Sequence, residues 1–135
     1  MTETPAQASA LNVLIVEDHA DSGYVLHEFV HFMGYTSVLA ESAEEALSKL
    51  ESYTPHVIFL DILLPGRSGY DFAAELRRRF GDGVFLVAFT GIVGPAAESK
   101  AKEAGFDLFL TKPVGLDDVR DVLAVRAAAL RLASV

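Results

Sequence analysis

Val13-Leu14-Ile15-Val16-Glu17-Asp18 is a run of four apolar residues closed by two carboxylates. The pattern returns at His56-Val57-Ile58-Phe59-Leu60-Asp61, and again at Asp107-Leu108-Phe109-Leu110-Thr111-Lys112-Pro113. Short runs of Val, Ile, Leu and Phe without polar alternation read as strands buried on both faces, as in a parallel sheet. In such a sheet the carboxyl ends of the strands lie side by side and form the ligand crevice. Three carboxylates and a lysine therefore converge at one edge. That combination suits a divalent cation and a phosphoryl group.

Working outward, buried strand and amphipathic helix alternate along the chain. Strand one is expected at 12–16 and helix one at 20–33, with Leu26, Phe29, Val30 and Met33 at core spacing and Gly34 as its stop. Strand two follows at 36–39. Ser42-Ala43-Glu44-Glu45 reads as a capping box that opens helix two. Strand three, at 56–60, comes after the Pro55 break. Residues 62–69 read as a loop by their Pro and Gly content. Helix three is expected at 70–79 and strand four at 84–89. Pro95 suits a first helical position, so helix four covers 95–104. Strand five is expected at 106–110, and helix five from Leu116 to the end. Five βα units of this length give an α/β fold, a doubly wound parallel sheet with helices on both faces.

The 135 residues fit one domain, expected at 11–135 behind a flexible leader at 1–10. The leader has no basic residue and no apolar core, unlike a signal peptide. The longest apolar stretch, Val84 to Phe89, falls far short of the ~20 residues that cross a bilayer. No cysteine is present, which excludes a disulfide framework and thiolate chemistry. A cytoplasmic protein without membrane contact is the simplest expectation. The net charge of −8 and the lack of a basic cluster speak against nucleic-acid binding. Arg77-Arg78-Arg79 is the only basic run and reads as a solvated helix end, where cations favour the dipole. His27 and His31 have a spacing that can bind zinc, but with no third ligand they read as a solvated helix face. His19 is expected near the acidic pair.

Glu17 and Asp18 close strand one, and Asp61 closes strand three. If those strands are neighbours, like charges crowd together and a hard divalent cation resolves the conflict. Thr90 ends strand four with a hydroxyl, Gly91 leaves room beside it, and Lys112 ends strand five with a movable positive charge.

These residues carry a resemblance to the receiver domain of two-component response regulators, from about Leu11 to Ala133. The matching elements are Glu17-Asp18, Asp61 with Leu64-Pro65-Gly66 and Gly69, Thr90-Gly91, and Lys112-Pro113. The resemblance implies a flavodoxin-like sheet of strand order 2-1-3-4-5. It implies that Asp61 accepts a phosphoryl group from a sensor histidine kinase or a histidine phosphotransfer protein. Asp18, Asp61 and the carbonyl of Leu63 are then ligands of Mg²⁺, with Glu17 acting through water. Thr90 and Lys112 contact the phosphoryl oxygens. Phe109 matches the switch aromatic, more often Tyr, that answers Thr90 and remodels the face of helix four, strand five and helix five. The family's Lys-Pro bond is usually cis.

Departures from the family pattern are Arg67-Ser68 before Gly69, and Gly115 where a polar cap to helix five is common. Only Asp107 remains of the paired acidic motif that helps the DNA-binding subfamily dimerise, so that dimer mode is not carried over. A monomer or a phosphorylation-dependent dimer is expected. The leading expectation is a stand-alone receiver acting on an unknown output protein through contacts, its only catalysis being its own phosphorylation and dephosphorylation. The alternative is a phosphorylation-independent binding module. An aspartyl phosphatase of the haloacid dehalogenase type needs a second Asp two residues after the nucleophile, and position 63 is Leu.

Overall fold

The computed structural model describes residues 11–91 and 94–134, so the expected leader lies outside the described residues. The elements in chain order are β1 (Asn12–Val16), α1 (Ala20–Phe32), β2 (Thr36–Ala40), α2 (Ala43–Lys49) and β3 (Val57–Asp61). They continue as α3 (Gly69–Phe80), β4 (Phe85–Thr90), α4 (Pro95–Ala104), β5 (Leu108–Thr111) and α5 (Leu116–Ser134). The sheet has the order β2-β1-β3-β4-β5, and every pairing is parallel. This is the doubly wound, flavodoxin-like arrangement expected from the resemblance.

The absence of polar alternation has its cause in the two layers of helix. Leu14 and Val16 of β1, with Ile58 and Leu60 of β3, point into a core shared with Ala46 of α2, Phe72 and Leu76 of α3 and Ala101 of α4. The intervening Val13, Ile15, Val57 and Phe59 point into a second core with Leu26 and Val30 of α1 and Val119 and Leu123 of α5. Phe59 and Phe72 are fully buried, and each such side chain contributes roughly 1.5–3 kcal/mol of hydrophobic stabilisation.

Register decides how the strand ends meet. Val16 lies opposite Leu60, so the next residues, Glu17 and Asp61, are level. Asp61 lies opposite Phe89 and Thr90 opposite Thr111, so the chemistry climbs stepwise across the sheet.

Several local expectations shift. β4 begins and ends one residue later than expected, so Thr90 is part of the strand, and β5 starts at Leu108. The segment after Asp61 is more ordered than a loop: Leu63–Leu64 pairs antiparallel with Arg67–Ser68, turned by Gly66 at φ +75°. In the capping box, the amide of Glu45 donates to Ser42 Oγ as expected, but Glu45 Oε1 accepts from the amide of Glu41, one residue earlier than the usual partner.

Arg77 overturns the reading of the arginine run as a solvated helix end. Its guanidinium donates to the carbonyls of Gly105 (2.6 and 3.1 Å), Gly81 (2.7 Å) and Val84 (2.8 Å), and to Asp107 Oδ2 (2.8 Å). The same Asp107 oxygen accepts from the amide of Leu86 at 2.9 Å. One arginine thus satisfies carbonyls that end α3 and α4 and ties them to the entry of β4 and β5, while Arg78 and Arg79 stay exposed. His27 likewise is half-buried rather than solvated, with Nδ1 2.5 Å from Ser37 Oγ.

At the amino ends of the strands, away from the crevice, a polar cluster closes the sheet. The amide of Asn12 donates to His56 Nδ1 at 3.0 Å, and the amide of Val13 donates to the Tyr53 hydroxyl at 3.1 Å.

Candidate functional site

Glu17 follows directly on β1, and its amide is held by the carbonyl of Ala40 at 2.9 Å. Its side chain is buried, as are those of Asp61 and Thr90. The amide of Lys112 donates to the carbonyl of Thr90 at 2.8 Å, which fixes where the lysine leaves β5. The Lys112-Pro113 peptide bond is cis, as expected.

Lys112 Nζ stands between two carboxylates, 2.6 Å from Glu17 Oε1 and 2.7 Å from Asp61 Oδ2, and 5.1 Å from the centre of the Phe89 ring. The amide of Leu63 donates to the other Asp61 oxygen, Oδ1, at 2.9 Å. The amide of His19 donates to Glu17 Oε2 at 3.0 Å. The sequence-selected residues Glu17, Asp18, Asp61, Leu63, Thr90 and Lys112 therefore gather at one edge of the sheet.

The electrostatics follow from burial set against pairing. Burial pushes Asp61 up, and although Lys112 and the Leu63 amide oppose it, its carboxyl stays above the usual range. Burial also disfavours charge on Glu17, but the hydrogen bonds from Lys112 and the His19 amide prevail and hold it below the usual range. For Lys112 burial acts downward, and the two carboxylates overcome it and raise the ammonium. Asp18 is different. Its Oδ1 is buried and has no hydrogen-bond partner. A carboxylate oxygen in that state needs a positive partner.

Glu17, Asp18, His19 and Asp61 place one donor atom each within 4.8 Å of one another, a set that could hold a metal ion. The unpartnered Asp18 oxygen and the oxygen-rich donors fit a hard divalent cation. His19 lies beside the acidic pair as expected, its Nδ1 3.2 Å from Glu17 Oε2 and 3.6 Å from Asp18 Oδ1.

Gly69 shows why the motif carries glycine there. A Cβ at that position would stand 2.5 Å from Ile62 Cα and 2.8 Å from the Asp61 carbonyl, closer than atoms approach without displacement. Glycine lets the start of α3 press against the backbone that carries Asp61. A Cβ at Gly91, by contrast, would enter open space.

Phe109 is half-buried against the core beneath α4 and lines a surface groove with Ala101, Lys102 and Leu108. Arg67, a departure from the family pattern, pairs with Glu75 and lies over the Phe72 ring at 5.0 Å. It anchors the short hairpin to α3. A six-residue spacing from Asp61 gives no hint of this, because the partner sits eight residues further along the chain.

Comparison with known proteins gives the family and the fold. The virulence sensor protein BvgS of Bordetella pertussis is 32% identical over 136 residues, covering 94% of this chain and 11% of that protein. The sensor histidine kinase AruS of Pseudomonas aeruginosa is 34% identical over 126 residues, covering 90% of this chain and 12% of that protein. The chain thus spans about a tenth of the length of these two relatives. In fold it matches a CheY-like response regulator receiver domain protein from Methanospirillum hungatei, with a TM-score of 0.82, 23% identity, and coverage of 90% and 97% of the two chains. The family model described as the response regulator receiver domain matches residues 13–124. The chain belongs to the response regulator receiver domain family of two-component signalling systems.

Proposed function

We propose that the chain is a phosphoacceptor switch whose acceptor is Asp61. The observation that carries this reading is Lys112 Nζ held within 2.7 Å of Asp61 Oδ2 and Glu17 Oε1 beside the unpartnered Asp18 Oδ1. An Asp61 carboxylate oxygen attacks phosphorus of a phosphohistidine on a sensor kinase or phosphotransfer protein. The P–N bond breaks and its electron pair stays on the imidazole. Asp18, Asp61 and the carbonyl of Leu63 would hold Mg²⁺, with Glu17 behind them, and the ion would supply neutralising charge to the transferring group. Lys112 exchanges one of its carboxylate partners for a phosphoryl oxygen, and Thr90 donates its hydroxyl to another.

Switching runs from Thr90 through Phe109 to the face of α4, β5 and α5, where an output protein reads the change. Phe109 packs inward but has no hydroxyl to hold an outward position. The expected cytoplasmic mode of action, as a monomer or a phosphorylation-dependent dimer, is part of this proposal. The experiment is intact mass after incubation with acetyl phosphate and Mg²⁺, with a beryllium fluoride complex as the second probe. One added phosphoryl group on the native chain and none on Asp61→Asn is the expected result. No adduct together with no beryllium fluoride binding overturns it.

A further inference from the structure

His19 is the N-cap residue of α1, but its side chain accepts no hydrogen bond from the amides of the first turn. Its ring turns instead toward the acidic pair, and Nδ1 meets Glu17 Oε2 at 3.2 Å and Asp18 Oδ1 at 3.6 Å. Lys112 takes the other oxygen of Glu17, Oε1, so imidazole and ammonium do not compete for one atom. The buried Asp18 Oδ1 next to Nδ1 has no hydrogen-bond partner.

In an octahedral shell with bonds of about 2.1 Å, adjacent donors stand about 3.0 Å apart and opposite donors about 4.2 Å apart. The donor atoms of Asp18, His19 and Asp61 lie within 4.8 Å of one another and close onto one centre with small movements, Glu17 standing behind them. The His19 ring is 71% exposed, and in a neutral imidazole one ring nitrogen carries a lone pair, which on Nδ1 would face the cluster. Mg²⁺ draws little from an imidazole and keeps oxygen ligands and water, whereas Mn²⁺, Co²⁺ and Zn²⁺ accept nitrogen increasingly well.

We infer that His19 is a further side-chain donor to the cation site and makes this receiver select a later first-row divalent ion over Mg²⁺. The inference rests on the cation site proposed above and adds a ligand and a selectivity to it. A nitrogen donor on an exposed ring gives selectivity without altering the carboxylates that face Asp61.

The test uses the full chain, His19→Ala and Asp18→Ala, each stripped of metal. Co²⁺ binding is followed by visible absorption and by paramagnetic shifts of the histidine ring resonances, and Mg²⁺ binding by calorimetry. The native chain is expected to bind Co²⁺ more tightly than Mg²⁺. His19→Ala should lose about tenfold or more in Co²⁺ affinity, the order by which groups around a metal commonly act, with Mg²⁺ affinity changed less than about twofold. Among the four histidines, His19 should show the largest shift. Equal losses for both ions, or an unshifted His19 ring, overturn the inference and leave the cation site standing. Failure of both ions to bind the native chain, or binding that survives Asp18→Ala, overturns the cation site itself.

Discussion

Lys112 Nζ lies 2.7 Å from Asp61 Oδ2, although 51 residues separate them in sequence. The lysine does at one edge of the sheet what a cation does elsewhere: it permits two buried carboxylates to stand together. Replacing it by Met leaves Glu17 and Asp61 facing each other without a counter-charge. The metal-free Lys112→Met protein should lose about 2 kcal/mol, the scale of losing charge-assisted hydrogen bonds. Urea denaturation measures this, and an unchanged midpoint would contradict it.

Millimolar Mg²⁺ should raise the melting temperature, because an ion that binds only the folded chain stabilises it by mass action. Asp18→Ala removes the carboxylate whose oxygen lacks a partner, and should abolish that rise. A persistent rise in the variant places the ion elsewhere.

Gly69→Ala should destabilise by about 1–3 kcal/mol, the cost of overpacking against atoms that cannot yield. The atoms in question are backbone atoms of Asp61 and Ile62. Phosphorylation by acetyl phosphate should slow as well, since relief of the clash moves the acceptor. Normal stability in denaturant would refute the close approach.

Arg77→Ala should lower stability by about 1–3 kcal/mol, because the carbonyls of Gly81, Val84 and Gly105 lose their donor. Arg77→Lys should recover only part of it, since an ammonium cannot reproduce the planar fork. Equal stability of the Lys variant and the native chain would show that charge alone suffices.

The acid side of the stability profile should depend on His56. Burial holds its imidazole below the ordinary value of 6.5, and Nδ1 must keep its lone pair to accept the Asn12 amide. A folded pKa below the unfolded one means that the unfolded chain binds the proton more readily. Stability is therefore complete above about pH 6.5 and falls as pH drops below it. In His56→Gln the fall between pH 7 and 5 should be shallower; guanidinium titrations at several pH values read the difference.

Most of the fold was legible because most strands are short apolar runs and α1 to α4 each end at a glycine or begin at a proline or serine. The site was legible for the same reason: polar residues that follow strand ends reach one edge once the order of strands is known. That order came from resemblance, since periodicity alone cannot say which strands are neighbours. Arg77 was not legible. Three adjacent arginines look alike in sequence, and only the helix phase and the position of Gly105 turn one of them inward. The hairpin at Leu63–Ser68 was hidden because strands of two residues have no period to detect.

The alternation of Val13 and Ile15 with Leu14 and Val16 puts a bulkhead between two sets of helices. Substitutions beneath α1 and α5 meet different neighbours from those beneath α2, α3 and α4, and effects of such separated changes add independently. A lineage carrying this chain can therefore rewrite one flank to suit a new partner while the opposite flank keeps its old one. The acidic edge, reached from both flanks, is the part that neither revision is free to alter.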